Sequence, residues 1–289
     1  MEHPTYSGIV DELAEVDQWL GRMGLIDLDR IRVHQRNIAE VARATDEGRF
    51  DWLRSSLTDE KRREILWSIV ESREFVDAIN ALRRQDCPPP PEVLRRALQG
   101  PADLYLEDSH SNLGRNTMFE IVIAGRAAFA GLKPRLGSEP DVFFEFNGRR
   151  ILVQCKRVLS ERAIPKRIGE AAGQLARDLN NSCHPTDCGL VAVSISKLFN
   201  PGDNIMRVAR ESELRPALSL EIGGTIERHV DSFGRVRDPR IAAILFHTAT
   251  PALVEEFGGY AAANAATVYR IPGKSDGALM QSLAAKLTI

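Results

Sequence analysis

Residues 140–158, PDVFFEFNGRRILVQCKRV, constrain the fold more strongly than any other stretch of this chain. Asn147 and Gly148 lie between two runs of apolar, β-branched and aromatic residues, and both tolerate the positive φ angles that a type I′ turn requires. Such a pair between two strand-forming runs is the strongest short-range signal for a β-hairpin. The stretch therefore predicts two antiparallel strands, at 140–146 and 149–157, joined by a two-residue turn.

The two-residue turn also predicts the register of the hairpin. It pairs Phe146 with Arg149, and counting outward from this pair places Asp141 directly opposite Gln154. Lys156 lies two residues beyond Gln154 and so on the same face of the strand. Because side chains directly opposite each other have Cβ atoms about 4.5–5.5 Å apart, we expect the carboxylate, the amide and the ammonium group to cluster at one end of the hairpin.

The alternation of side chains gives the two faces of this hairpin different characters. One face is wholly apolar and consists of Val142, Phe144, Phe146, Ile151, Val153 and Cys155. The other face carries the polar cluster but also Phe143 and Leu152, so we expect a helix to cover it as well. Polar groups at one end of a sheet that is buried on both sides would border a cleft. The alternative is a surface ion pair between Asp141 and Lys156 on a solvated face.

The composition indicates a globular protein. The chain has 289 residues, of which 43% are hydrophobic and 27% charged, which allows a sizeable core and argues against wholesale disorder. No apolar run approaches the roughly 20 residues that a membrane-spanning helix needs, so we expect no membrane association. The start of the chain is acidic and has no apolar signal segment, and the four cysteines show no disulfide spacing. We therefore expect a cytoplasmic protein.

Periodicity divides the chain into two parts. Apolar residues recur at helical intervals in the first part, and the prolines of CPPPPE end it as a stiff spacer, so we expect an all-α domain at 1–95 and a boundary within 86–101. Beyond the boundary we expect helices at 116–130, 165–181 and 205–232 and, besides the hairpin, strands at 133–137, 189–199, 240–250 and 265–271. Strands that alternate with helices indicate an α/β fold with a sheet covered on both faces.

The distribution of charge is uneven although the net charge is only −2. Residues 133–167 contain nine basic and four acidic side chains, whereas residues 1–100 contain 15 basic and 19 acidic ones. The positive charge is thus concentrated around the hairpin. This distribution is compatible with a polyanionic partner, and equally with a solvated basic patch.

The pattern Asp-x12-Gln-x-Lys, with a proline before the aspartate and the last residues on an apolar strand, resembles the PD-(D/E)xK nuclease superfamily. VQCKR is most similar to the Mrr-type restriction branch, in which glutamine replaces the acidic residue. The resemblance covers roughly 114–200. It implies a three-layer α/β/α restriction-endonuclease-like core with a mixed sheet, in a nuclease-like domain at 101–289. It also implies a metal-dependent endonuclease that hydrolyses DNA, of the prokaryotic restriction or defence kind.

The resemblance assigns roles to four positions of the motif. Asp141 would be the metal-binding aspartate, and Gln154 would occupy the Glu/Asp position. The main-chain carbonyl of Cys155 would be a further metal ligand, and Lys156 would be the catalytic lysine. The implied cofactor is Mg²⁺ or Mn²⁺, whose hard oxygen ligands these groups supply.

Members of this superfamily often add a glutamate from the helix that precedes the sheet, and Glu120 is the candidate here. Its apolar neighbours predict a largely buried helix, in which a carboxylate needs a partner such as a metal ion. The alternative is a capping box, in which Thr117 caps the helix and Glu120 bonds back to its start.

Candidate contacts to nucleic acid surround the motif. The basic candidates are Arg149, Arg150, Arg157, Lys166 and Arg167. Gln174 matches a glutamine often found in the helix after the hairpin, but it is as compatible with a plain surface position. The helical domain at 1–95 could dimerise the protein, bind a partner or contact DNA, and we expect a homodimer. Two alternatives stay open: a catalytically degenerate binding module with the nuclease fold, and a nuclease for RNA or branched DNA.

Overall fold

The computed structural model describes residues 6–26, 28–49, 56–100, 113–137, 139–200, 204–274 and 276–288. Its first part contains the helices α1 (Tyr6–Arg22), α2 (Asp29–Asp46), α3 (Asp59–Arg84) and α4 (Pro91–Ala97). The Oγ1 atom of Thr58 accepts a hydrogen bond of 3.2 Å from the backbone N–H of Lys61 and so caps α3. None of the described helices is long and apolar enough to cross a membrane.

The second part is a mixed α/β structure, as the alternating pattern predicts. Its helices are α5 (Leu113–Phe129), α6 (Ile164–Asn181), α7 (Ser196–Phe199), α8 (Leu214–His229) and α9 (Gly277–Leu287). Its strands are β1 (Arg135–Leu136), β2 (Val142–Phe146), β3 (Arg149–Arg157), β4 (Cys188–Ser194), β5 (Met206–Val208), β6 (Ile241–Val254) and β7 (Gly259–Arg270). The strands lie in the order β1-β2-β3-β4-β6-β5, and β7 pairs with β6. β1, β2 and β3 are antiparallel neighbours, whereas β3, β4 and β6 run parallel.

The predicted hairpin is confirmed in turn and register. Asn147 and Gly148 have φ angles of 50° and 73°, as a type I′ turn requires. Phe146 pairs with Arg149, and the pairing continues outward to Val142 and Val153 with no bulge.

Both faces of the hairpin are covered. The apolar face, which includes Phe144 and Ile151, packs in a core with α5 and with the helices of the first part. On the opposite face Leu152 packs with Leu175 and other apolar residues of α6. The expectation that a helix covers the face that carries the polar cluster is therefore confirmed. α6 and α5 lie on opposite sides of the sheet and approach its candidate site from two directions.

The helices of the first part share one continuous hydrophobic core with the sheet. Buried residues of α1, α2, α3 and α4 belong to the same cluster as β2 and β3. Helices α3 and α5 cross closely, because a Cβ atom at Gly125 would lie 2.5 Å from the Cα atom of Ala78. The division into domains at 1–95 and 101–289 stays a prediction.

Substitution of Gly125 by alanine is expected to destabilise the protein by about 1–3 kcal/mol, because the added methyl group would force α3 and α5 apart. Gly169→Ala is the matched control: it adds the same group in α6, where nothing lies within 4 Å. The control should leave stability unchanged or raise it by about 0.5–1 kcal/mol. Urea denaturation of both variants checks the prediction, which is wrong if Gly125→Ala is as stable as the parent.

Several expectations for the C-terminal half need correction. The expected helix at 205–232 is divided, because residues 206–208 form β5 against the end of β6 and α8 begins only at Leu214. The expected strand at 189–199 ends at Ser194, and α7 follows it directly. α9 was not expected.

The expected strand at 240–250 also continues further, through Pro251 to Val254. The carbonyl of His247 and the N–H of Ala249 both face the side of β6 on which β4 lies. Just beyond the end of β4, the carbonyl accepts from the N–H of Ile195 and the N–H of Ala249 donates to Oγ of Ser196. The missing N–H of Pro251 faces the same side, at a point between the last partner in β4 and the first in β5. The proline therefore removes no ladder hydrogen bond, and the strand can pass through it.

Candidate functional site

Asp141 and Gln154 are in direct contact at the open end of the hairpin. The Oδ2 atom of Asp141 accepts a hydrogen bond of 2.6 Å from Nε2 of Gln154 and another of 2.7 Å from the backbone N–H of Cys155. The turn-based prediction that the two side chains lie opposite each other is therefore confirmed. Asp141 directly precedes β2, at the point beyond which β2 no longer pairs with β3 and the edge of β3 is free.

The main-chain carbonyl of Cys155 points toward the same place. In an antiparallel pair the N–H and C=O of one residue point to the same side of the strand. The N–H of Cys155 bonds Asp141, so its carbonyl also faces the edge beyond the end of β2. The carboxylate of Asp141 and the main-chain carbonyl of Cys155 thus lie at the same edge of β3, and both belong to the hairpin itself.

Lys156 lies beside this pair on β3 and is half-buried. Burial raises the pKa of Asp141, and the N–H of Cys155 and the charge of Lys156 oppose this shift. The ammonium group is therefore close enough to stabilise the Asp141 carboxylate. The structure thus brings together the three polar residues that the hairpin register predicts at one end.

Glu120 approaches the same site from α5. The pKa of Glu120 is raised to about 8, chiefly by burial and also by the negative charge of Asp141, while the positive charges of Arg96 and Lys156 oppose the shift. The capping-box alternative for Glu120 is wrong, because α5 already includes Leu113 and Thr117 is buried in its interior. Two carboxyl groups therefore lie near each other in a largely desolvated site, where a proton or a cation is needed to relieve their repulsion.

The raised pKa of Glu120 predicts that the metal-free protein loses stability as the pH rises. Between its ordinary value of 4.5 and about 8, the folded protein holds a proton that the unfolded chain has released. Stability should therefore fall over this window, in total by on the order of 4 kcal/mol. Glu120→Gln should remove this pH dependence. The free energy of unfolding of the variant should therefore rise relative to that of the parent between about pH 5 and about pH 8. Denaturation in EDTA at several pH values checks this, and parallel stability curves would contradict it.

Two of the predicted nucleic-acid contacts do not lie at the site. Arg149 forms an ion pair with Asp276, and Arg150 donates to Asp187 at 3.0 Å, both at the turn end of β3. Six residues of strand separate Arg150 from Lys156, which corresponds to about 20 Å. Any contact of Arg149 and Arg150 with nucleic acid would therefore lie far from Asp141.

The other predicted contacts lie at or near the carboxyl end of β3. Lys166 and Arg167 follow in the first turns of α6, where Lys166 is largely exposed and Arg167 pairs with Glu170 at 2.8 Å. Arg157 ends β3 and lines a small cleft of about 40 Å³ that it shares with Glu74 and His247. Arg157 thus lies on the α5 side of the sheet, away from α6.

Gln174 lies on α6, and the same helix contributes a residue that the sequence analysis missed. The charge of Asp178 raises the pKa of Asp141, although burial is the larger cause. Oε1 of Gln174 and Oδ2 of Asp178 are both buried and have no hydrogen-bond partner among the described residues. The spacing of four residues, which places both side chains on one helix face, is the signal that could have identified Asp178.

Arg96 of α4 is the second missed residue, since it acts on Glu120 from outside the predicted nuclease-like part. No short motif marks it in the sequence. A cavity of about 460 Å³ lies elsewhere, between the N-terminal helices and β7, and its lining includes Thr45, Asp77 and Tyr260 but no predicted site residue.

The donor set at this site fits Mg²⁺ or Mn²⁺. In the described ranges, no group of three or more His, Cys, Asp or Glu side chains could hold a metal ion. Mg²⁺, however, keeps several waters and is commonly bound through one or two carboxylates. Asp141, Glu120 and the carbonyl of Cys155 would supply these ligands. A bound cation would offset the burial that raises the pKa of both carboxyl groups, and the charge of Asp141 that raises the pKa of Glu120 further.

Comparison with known protein families, curated proteins and solved structures finds no match to this chain. The resemblance to the nuclease superfamily therefore stays a prediction from the sequence motif.

Proposed function

We propose that this protein is a metal-dependent endonuclease of the PD-(D/E)xK kind that hydrolyses DNA phosphodiester bonds, in prokaryotic restriction or defence. The observation that carries the proposal is the pair of hydrogen bonds at Asp141, from Gln154 at 2.6 Å and from the N–H of Cys155 at 2.7 Å. These bonds hold the motif residues at one sheet edge beside Lys156.

The order of elements around the motif supports the proposal. Helix α5, the antiparallel strands β1 to β3, helix α6 and the parallel strand β4 follow one another as in the core that the resemblance implies. The site lies where this core exposes the edge of β3. We propose on this basis that residues 101–289 contain a restriction-endonuclease-like core.

Each residue of the site would have a separate task in phosphodiester cleavage. Asp141, Glu120 and the carbonyl of Cys155 would hold Mg²⁺, which supplies charge stabilisation and an acidified water when bound. Lys156 would orient the attacking water and neutralise the negative charge that develops on the phosphate. The compact ammonium group suits this position, where the planar fork of arginine would not.

Gln154 would position Asp141 and would not itself hold the metal. Its amide N–H₂ is directed at Oδ2 of Asp141, the orientation that a carboxylate acceptor selects. A glutamate at this position would place a second negative charge against Asp141. Gln154 therefore suits a site whose second carboxylate comes from Glu120.

Cleavage of supercoiled plasmid tests the proposal directly. With Mg²⁺ or Mn²⁺ the protein should convert plasmid to nicked and linear forms, and EDTA should stop the reaction. Single-stranded RNA and branched DNA, assayed in parallel, separate the proposed activity from the same chemistry on another substrate. Preference for RNA would overturn DNA as the substrate, and preference for branched DNA would overturn ordinary duplex DNA as the substrate.

A binding module without activity is the second candidate, and the neutral Gln154 favours it. Calorimetric titration with Mn²⁺ distinguishes the two. If the protein binds no Mn²⁺ and cleaves none of the substrates, the binding module is the better description.

We also propose that the N-terminal helices mediate a homodimer, which would suit cleavage of both DNA strands. Analytical ultracentrifugation that finds only monomers would contradict this proposal.

A further inference from the structure

A cavity of about 460 Å³ lies between the N-terminal helices and the start of β7, and none of its described lining residues belongs to the candidate site. Protein cavities that bind small molecules usually measure about 300–1,000 Å³ and combine an apolar lining with a few polar groups. This cavity has the required size. The proposed nuclease activity makes no use of it.

Apolar side chains form much of the cavity lining. The buried ones on the helices α1, α2 and α3 are Ile9, Val41, Ala44 and Ile69. On the sheet side, Tyr260, Ala262 and Asn264 alternate along β7 and therefore share one face of the strand. The cavity thus offers an apolar surface to the body of a ligand, between the helices and one face of the sheet.

Two aromatic side chains, Tyr6 and Phe257, form part of the cavity wall beside the start of β7. The Tyr6 hydroxyl donates to the carbonyl of Tyr260 at 2.8 Å and accepts from its backbone N–H at 2.6 Å. A Cβ atom at Gly259 would lie 3.0 Å from the Phe257 ring and 3.2 Å from the Tyr6 hydroxyl oxygen, so both side chains close on this glycine. Phe257 is nevertheless 38% exposed. Because aromatic side chains commonly surround bound ammonium groups, this wall suits an ammonium ligand.

The charged groups at the cavity are mainly acidic. The charged residues of the described lining are Asp46, Arg49, Arg73, Asp77 and Glu211. Arg73 donates to Asp77 at 2.9 Å and to Glu12 at 3.0 Å, and Arg49 donates to Glu47 at 2.7 Å. Two arginines therefore stand against five carboxylates, and each arginine already has a carboxylate partner. A cation is the occupant that complements this charge distribution.

We infer that this cavity binds a small organic cation that consists of an ammonium group on an apolar body. The ammonium group lies near Asp46 and Phe257, where a carboxylate and an aromatic side chain both attract positive charge. The apolar body packs against the side chains of α1, α2 and α3. The ligand contacts both the N-terminal helices and β7, so its binding stabilises the folded protein. This inference goes beyond the proposed nuclease function and does not depend on it.

Calorimetric titration of the full chain with three related probes tests the inference. Phenethylammonium, phenethyl alcohol and phenylacetate have similar aromatic bodies and differ in the charge of the polar group. Phenethylammonium should bind with a Kd of about 0.1–1 mM, which is typical of a ligand of this size. Phenethyl alcohol should bind at least about 10-fold more weakly, as expected when a charge-dependent contact is lost, and phenylacetate should not bind. Phenethylammonium should also raise the unfolding temperature of the protein, and phenylacetate should not.

Three variants connect this binding to the cavity. Ala262→Phe places a ring in the cavity and should abolish binding of phenethylammonium. Asp46→Asn and Phe257→Ala should each weaken it by about 2- to 5-fold, and Asp46→Asn should leave the affinity for phenethyl alcohol unchanged. Asp11→Asn, which changes an exposed carboxylate outside the described lining, is the control and should bind like the parent. Thermal unfolding without ligand shows whether each variant is folded, and the two milder variants still test the site if Ala262→Phe is not.

Equal affinity for the three probes, or a preference for phenylacetate, would overturn the inference, because the charge of the cavity would then not select its ligand. The absence of binding by all three probes would also overturn it. Binding of phenethylammonium that is unchanged in both Asp46→Asn and Phe257→Ala would place the bound cation elsewhere and would overturn the assignment to this cavity. None of these measurements involves nucleic acid or Mn²⁺, so their outcome is separate from that of the plasmid cleavage assay.

Discussion

Asp141→Asn is expected to weaken Mn²⁺ binding by more than about 100-fold, since even residues that only orient metal ligands contribute 10- to 100-fold. Asparagine has nearly the same shape, and its side-chain oxygen can accept the hydrogen bonds from Gln154 and from the N–H of Cys155. The substitution therefore removes charge while keeping the geometry. Because burial raises the pKa of Asp141, the neutral amide should leave the metal-free protein at least as stable as the parent.

Calorimetric titration with Mn²⁺ and thermal unfolding in EDTA measure the two effects separately. Asp11→Asn is the control, because it changes an exposed carboxylate on α1 and should leave both quantities as they are. Parental Mn²⁺ affinity in Asp141→Asn would exclude Asp141 as a metal ligand. Loss of affinity together with a large fall in stability would indicate a structural role.

Lys156→Ala is expected to lower the rate of plasmid cleavage by about 100- to 1,000-fold, which is the usual effect of removing one preorganised group that stabilises transition-state charge. Binding of Mn²⁺ should persist, because the lysine is not a ligand and its removal takes a positive charge away from Asp141. Lys156→Arg should not restore the rate, since the planar guanidinium cannot take the place of a compact ammonium group.

Single-turnover cleavage with saturating Mn²⁺ measures this effect apart from metal binding. Lys286→Ala, at an exposed position of α9, serves as the control and should cleave like the parent. Cleavage by Lys156→Ala at the parental rate would end the catalytic assignment of this lysine. If Lys156→Ala loses Mn²⁺ binding together with cleavage, the lysine is needed to maintain the metal site and not for the chemical step.

The central part of the candidate site follows from local pairing and could be predicted. Asn147-Gly148 selects a two-residue turn, and that turn alone brings Asp141 to Gln154 across 13 residues of chain. The covered face of the hairpin also follows from Phe143 and Leu152. Local sequence does not explain why the expected helix at 205–232 is divided, because β5 forms only where β6 offers it an edge.

The sequence by itself therefore determined the hairpin, its register and the cluster of Asp141, Gln154 and Lys156, because these depend on a turn geometry and a two-residue period. The tertiary structure alone decided that Glu120 of α5 and Asp178 of α6 come close enough to Asp141 for the charges to interact. It also decided that Arg149 and Arg150 lie at the opposite end of β3. The physical reason is that helix placement depends on close packing between distant segments, such as Gly114 against Gln99 and Gly125 against Ala78, which no local pattern encodes.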